Sequence, residues 1–468
     1  MTNKLIYASA TELARAIRAK EVSSEEVVDA YLQRIEKVNL KLNAIVQLTA
    51  DSARVQARKA DADLARGRVR GPLHGVPMTI KDNIETAGVV CTGGTKGRAS
   101  FVPTQDATVV ARMRAAGAIM LGKTNLPELA LAFETDNMVY GRTNNPYDLS
   151  RTPGGSSGGE AAIIAAGGSP LGLGNDMGGS IRLPAHLCGI AGIKPTTGRV
   201  PKTGHFPWSG RWLDPLWQPG PMARFVEDLI LTLPIIAGVD WRDPTVVPMP
   251  LGDPEKIDVK SLRVAFYTDN GIMSPTPETV EVVKKTAKEL SDAGVTLEEN
   301  RPEGIEQSYN IFKGLFAADG GAGVQRLLQT VGTTEIHPWT QGLLGFCRRF
   351  GMTTAEFGGL MLQLARFNRS MLSFMEKHDV IICPVCAHPA LPHGVSMEFD
   401  SARAFHAFSY TMTYNLTGWP GVVVRGGTSP EGLPIGVQVV ARPWREDVAL
   451  AVAQHIEIVL GGWQRSPL

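Results

Sequence analysis

Apolar positions near the start of the chain recur at helical spacing. Val27, Val28, Tyr31, Leu32, Ile35 and Val38 would line one face of a helix. Ser9 with Glu12, and Ser23 with Glu26, each fit a capping box, so the first forty residues read as two helices. AIVQL (44–48) predicts a strand, followed by a charged helix to about residue 66. The period then alternates. GVPMTIKDN (75–83) reads as a strand with Val76, Met78 and Ile80 on one face. DATVVARMRAAG (106–117) reads as a helix and AIMLGKTN (118–125) as a buried strand. SGGEAAIIAAGG (157–168) repeats the helix and SPLGLGND (169–176) the strand. Residues 240–260, rich in proline and acidic side chains, read as a surface connection. SLRVAFYTD (261–269) and PETVEVVKKTAKELSDAG (277–294) restart the alternation, and residues 305–378 are mainly helical in pattern. DVIICP (379–384) and GLPIGVQVVA (432–441) are further strands before a closing helix. Strands alternating with helices predict an α/β architecture with a substantial sheet.

Composition narrows the class without changing it. The 468 residues are 43% hydrophobic and 20% charged, with a net charge of +1, as in an ordinary globular protein. That balance argues against a nucleic-acid or anionic-membrane partner. The five cysteines are odd in number and mostly scattered, which speaks against a secreted disulfide framework. MTNKLIYASATELARAI has no uninterrupted apolar core for a signal peptide, and AAIIAAGGSPLGLG (161–174) is too short and too broken to span a bilayer. The default expectation is a cytoplasmic protein.

Four motifs compete for the chemistry. GGSSG (154–158) matches the G-x-S-x-G elbow with Ser156 as nucleophile, but NNPYDLSRTP before it reads as loop where the elbow needs a strand. GAIMLGKT (117–124) has the letters of a P-loop, yet Ala118 to Leu121 are themselves an apolar strand, which cannot wrap phosphate. Cys383 and Cys386 form C-x-x-C near His388 and His393, but the VII run and Pro384 suggest a strand end rather than a redox helix or a zinc site. The fourth is the glycine-dense run from Gly154 to Gly192, which brackets Ser156 and Ser180. Met177, Gly178, Gly179 and Ser180 could aim backbone N–H groups at a developing oxyanion. A nucleophilic Ser180 needs a base. His186, six residues on, would face another side of its helix. Lys81, ending a strand where α/β sheets present their sites, would serve if apolar surroundings such as Val76, Met78 and Ile80 lowered its pKa; the alternative is a lysine reaching out to solvent.

TPGGSSGGEAAIIAAGGSPLGLGNDMGGSIRLPAHLCGIAGIKPTTGRVP (152–201) resembles the signature of the amidase signature hydrolases nearly throughout. The resemblance extends to GPLHGVPMTIKDNI (71–84), AIMLGKTNLPELA (118–130), GPMARFVEDL (220–229), YNLTGWPGVVV (414–424) and EGLPIGVQVVA (431–441); residues 300–370 are the least similar. It implies a large mixed central β-sheet covered by helices on both faces. It also implies one domain over 1–468: a helical segment to about 66, a signature core over about 67–240 and a C-terminal α/β portion over about 260–468. It implies a triad of Lys81, Ser156 and nucleophilic Ser180, with a cis Gly155–Ser156 peptide. The oxyanion hole would be the backbone of Met177, Gly178, Gly179 and Ser180, with Gly155, Ser157, Asp176 and Arg182 in support. No cofactor and no metal are called for.

The family cleaves amides, and some members carbamates. One branch supplies ammonia to a charged transfer RNA and works only with partner chains, as an amidotransferase subunit. TGHFPWSGRWLDPLWQPGP (203–221) is not expected in that branch, and its Trp208, Trp212 and Trp217 could wall an aromatic or apolar pocket, or merely pack a loop. The reading is a stand-alone monomer or homodimer acting on a small aryl or apolar amide. The alternatives are a urethanase, a non-catalytic scaffold and a partner-dependent subunit.

Overall fold

The computed structural model describes residues 2–207, 212–398 and 405–468. Its frame is one eleven-stranded mixed sheet. In chain order the strands are β1 (Ile45–Leu48), β2 (Pro77–Lys81), β3 (Ile119–Thr124), β4 (Leu171–Asp176), β5 (Ala191–Lys194) and β6 (Gln218–Ala223). They continue as β7 (Arg263–Phe266), β8 (Thr296–Glu299), β9 (Val380–Pro384), β10 (Gly421–Thr428) and β11 (Pro434–Ala441). The spatial order is β1-β3-β2-β4-β6-β5-β10-β11-β9-β7-β8. β3, β2 and β4 are mutually parallel neighbours, so their carboxyl ends lie side by side. β5 pairs antiparallel with β10, which joins the first half of the chain to the second through backbone hydrogen bonds.

Most elements fall where periodicity put them. Both N-terminal capping boxes are formed: Glu12 N–H donates to Ser9 Oγ and Ser9 N–H to Glu12, with the same exchange between Ser23 and Glu26. The helix Ser24–Leu42 buries all six apolar positions named above. The helix Gly158–Ala165 is buried on every side, which explains its largely apolar composition. β2, β3 and β4 are buried throughout, as expected of parallel strands covered on both faces. Among the described residues no helix is long and apolar enough to cross a membrane.

Four strands carry too little pattern to be read from sequence. β5 has four residues; β6, QPGPMA, holds two prolines; β8, TLEE, lies mostly exposed at the sheet edge. β10 runs into two glycines after its valines, and its register shifts between Arg425 and Gly427. Short, proline-bearing or edge strands take their conformation from neighbours rather than from their own alternation.

Candidate active site

β2 ends at Lys81, and the parallel pairing of β2 with β4 sets its side chain beside Asn175 of β4 and the Ser156–Ser157 segment. Lys81 is wholly buried. Its Nζ lies 2.7 Å from Ser156 Oγ, 2.9 Å from Ser157 Oγ and 2.8 Å from Asn175 Oδ1. Burial pushes the Lys81 amine well below its ordinary range; the nearby Asp176 and Glu160 only partly oppose this. A neutral amine has two N–H donors and one lone pair. Asn175 Oδ1 and Ser157 Oγ can take the donors, which leaves the lone pair for the Ser156 hydroxyl. Every polar atom of the cluster is therefore satisfied with lysine uncharged.

Ser156 sits on a loop that turns back sharply. The Gly155–Ser156 peptide is cis. A Cβ on Gly155 would meet the carbonyls of Ala132 and Glu134 at 2.6 and 2.8 Å, so this position admits only glycine. Ser157 N–H donates to the Ser180 carbonyl at 3.1 Å, tying this loop to the loop of Ser180. Ser180 keeps 8% of its surface, enough to meet a ligand where Lys81 cannot.

Asp176, at the carboxyl end of β4, organises the segment around Ser180. Its carboxylate accepts from the N–H groups of Gly179 (2.9 Å), Ile181 (3.1 Å) and Arg182 (3.2 Å). Arg182 adds a bidentate pair, Nε and Nη2 at 2.9 and 2.8 Å, with both side chains fully buried. Burial alone would raise the Asp176 carboxyl; the Arg182 guanidinium and the Asn415 amide outweigh it and hold the acid well below the usual carboxylate range. The remaining Arg182 N–H groups reach Thr411 O (3.0 Å), Gln438 Oε1 (2.6 Å) and Asn415 Oδ1 (2.6 Å). Gly179 has φ +122°, and a Cβ there would lie 2.4 Å from Thr411 Oγ1. Of the four amides over Met177–Ser180, that of Gly179 is thus committed to Asp176. Those of Met177, Gly178 and Ser180 have no acceptor among the described residues.

Residues 26–450 match the family model for Amidase. The chain belongs to the amidase family. It is 36% identical to fatty-acid amide hydrolase 2-B of Danio rerio over 99% of this chain and 91% of that protein. It is 34% identical to a glutamyl-tRNA(Gln) amidotransferase subunit of Moorella thermoacetica, with 97% of each chain covered. Among solved structures, 6-aminohexanoate cyclic dimer hydrolase with its substrate superposes with a TM-score of 0.88 at 28% identity, covering 99% of both chains. The chain is accordingly an amide-cleaving enzyme with the amidase signature fold.

Two branches of a cleft meet at Ser180 in this amidase. The first is lined by Ser156, Asn83, Asn175, His205, Trp212 and Trp217, among others. The second is lined by Phe133, Phe312, Phe316, Phe346, Phe405 and Met412, together with Gly178. Trp212 and Trp217 therefore face the site, while Trp208 lies outside the described residues. Trp212 Nε1–H donates to Leu315 O at 3.0 Å, and Trp217 packs edge-on to His205.

The rival motifs have structural roles. Lys123, in the P-loop-like run, is buried in β3 and its amine reaches the Ile84 carbonyl. His186 accepts from Gly436 N–H at 2.8 Å and faces His388 O; burial lowers it to about 4, away from any role as base to Ser180. Cys383 lies in β9 and Cys386 lies 3.8 Å from His388 Nδ1. All five cysteines are buried thiols, and no group of three metal-ligating side chains occurs among the described residues. Three polar groups around Lys81 escape the sequence reading. Asn175 precedes the singled-out Asp176; Asn83 Oδ1 accepts from Asn175 Nδ2 at 3.1 Å. Burial raises Glu160 to about 7 although Thr79 and Thr124 hydroxyls donate to it. An acid in the otherwise apolar stretch GGEAAIIAA was the available signal for Glu160, since a buried carboxyl needs partners.

Proposed function

We propose that the chain is a serine hydrolase of carboxylic amides that forms an acyl-enzyme on Ser180. The observation that carries this is Lys81 Nζ at 2.7 Å from Ser156 Oγ, in a buried cluster that opens on Ser180. The Ser180 hydroxyl proton passes to Ser156 Oγ as the Ser156 proton passes to the Lys81 lone pair. Ser180 Oγ bonds to the carbonyl carbon, and the charge on oxygen is met by the free N–H groups of Met177, Gly178 and Ser180. The Gly179 N–H, held by Asp176, keeps the loop in shape. On collapse the C–N bond breaks, nitrogen takes the Ser156 proton, and Lys81 returns its proton to Ser156. Water then enters by the same relay and releases the acid.

The relay also gives the site a direction. Ser156, which protonates the departing nitrogen, lines only the first branch, whereas Gly178 lines only the second. The amine half thus sits against Trp212 and Trp217, and the acyl half among the phenylalanines. Relatives named for fatty-acid amide and aminohexanoate cyclic dimer hydrolysis support amide substrates with apolar chains. Trp212→Ala is expected to raise KM for anilides about threefold to tenfold, with a smaller change for alkylamides, from the lost aromatic contact. Steady-state kinetics on matched anilide and alkylamide pairs check this.

The purified chain alone should release aniline from an acyl anilide, with Ser180→Ala as blank. A matched aryl carbamate tests urethane cleavage by the same relay, and the rate ratio orders the two activities. No release from either would favour a partner-dependent subunit. The pH profile is a separate check. A lysine must lose its proton to accept one, so kcat/KM should rise as pH rises through a Lys81 value held well below the ordinary lysine range. A limb that rises only near 10.5 would mean that Lys81 keeps an ordinary amine pKa and is charged at neutral pH, which would overturn the neutral-lysine relay.

A further inference from the structure

We infer that Lys313 is a specificity-determining residue of the acyl half and selects acyl groups that end in a carboxylate. The inference rests on the proposed function, because it takes the phenylalanine-lined branch as the acyl side. That branch is bounded at Ser180 by Gly178. A Cβ on Gly178 would lie 3.3 Å from Phe312 and 3.7 Å from Phe133, so the first rings begin directly at the oxyanion loop. From there the rings form a ladder: Phe133 to Phe405 at 5.7 Å, Phe405 to Phe346 at 5.7 Å, and Phe346 to Phe350 at 4.9 Å. Lys313 stands at the far end, its Nζ 4.6 Å from the centre of Phe350 and 5.8 Å from that of Tyr309.

Lys313 is the one charged side chain lining this branch among the described residues. It is half-buried, and no carboxylate lies within ion-pair distance of it among them. Its neighbours explain how it is held: two aromatic faces attract the ammonium and pack its methylene stem, and no anionic partner stands beside it among the described residues. An aliphatic or aryl acyl group laid along the ladder would bury its apolar length and present its far end to this ammonium. A carboxylate there gains a charge-assisted hydrogen bond in a site with low-dielectric walls. The first branch has the opposite character, since Asp214 and Asp319 line it. The second branch is therefore where an acidic substituent is accepted.

The test uses mono-p-nitroanilides of α,ω-dicarboxylic acids from succinyl to sebacoyl, each beside its ω-methyl-ester counterpart. Wild type, Lys313→Met and Lys313→Arg are compared, with Ser180→Ala as blank. For the best-fitting length, wild type should favour the free acid by about threefold to tenfold in kcat/KM, chiefly through KM. Lys313→Met should bring that ratio near one, with the larger loss falling on the free acid. Lys313→Arg should restore part of the preference, and salt should weaken it in wild type. Binding of the dicarboxylate product against its monocarboxylate analogue, read by calorimetry, gives the same comparison without turnover. Absence of any preference, or a preference that survives in Lys313→Met, overturns the inference. Release by Ser180→Ala equal to wild type would instead overturn the proposed function.

Discussion

Replacing Lys81 with methionine is expected to lower kcat for amide hydrolysis about a hundredfold to ten-thousandfold, the usual weight of one positioned proton-transfer group. Methionine matches the stem of lysine and removes only the basic end. The cavity cost is therefore small, and the lost amine was a desolvated one. Ser156 then keeps its hydroxyl but has nothing to take its proton. Lys81→Arg should fall as far, because a guanidinium stays protonated at any working pH. Single-turnover acylation of Ser180 measures the step directly, and unchanged circular dichroism separates chemistry from folding. Full-rate acylation by Lys81→Met would remove Lys81 from the relay.

Lys81 also shows how far the sequence carries. Its place at the end of a strand was legible from GVPMTIK, because alternation marks the strand and the sheet rule marks its carboxyl end. Residues alone left the solvent-exposed alternative open; burial among Ser156, Ser157 and Asn175 is a tertiary fact. The signature segment tied Ser156 to Ser180 by resemblance, and a separation of 24 residues along the chain gave no distance in space. The phenylalanine ladder was not legible. It collects Phe133, Phe346, Phe350 and Phe405 from separate parts of the chain, and no local period records such a gathering. β5, β6 and β8 were hidden for the opposite reason: their own residues do not state a preference that their neighbours impose.

Arg182→Met is expected to destabilise the fold by about 3–5 kcal/mol, the cost of leaving a buried charge without its partner. Arg182 gives Asp176 two charge-assisted hydrogen bonds inside a fully dry site. The pH dependence follows from the direction of the shift. In wild type the folded Asp176 pKa is held below its unfolded value of about 3.9, so the pair contributes fully above that value and is lost as pH falls through the folded one. Without Arg182, burial governs and the folded pKa rises above the unfolded value. The variant's Asp176 then costs stability increasingly as pH climbs past about 4. Urea midpoints should therefore differ most near pH 7, draw closer as pH falls toward about 4 and the variant's Asp176 takes up its proton, and converge only below that value, where the wild-type pair is lost as well. A constant gap across that range would show that Asp176 is not what Arg182 stabilises. Activity should fall alongside, because Asp176 would no longer fix the N–H groups of Gly179, Ile181 and Arg182.

The acceptors that complete Arg182 come from Thr411, Asn415 and Gln438, more than two hundred residues downstream. Lys81, Ser156 and Ser180 all lie before residue 182, yet the arginine whose partner Asp176 holds the Ser180 loop draws these acceptors from far beyond it. A chain made only through its signature segment thus holds Ser156, Ser180 and the Asp176–Arg182 pair without the acceptors that complete Arg182. Those acceptors come from the helix Ser409–Leu416 and from β11. A chain cut short before Thr411 would leave the Arg182 guanidinium with the Asp176 carboxylate as its one remaining side-chain partner among the described residues.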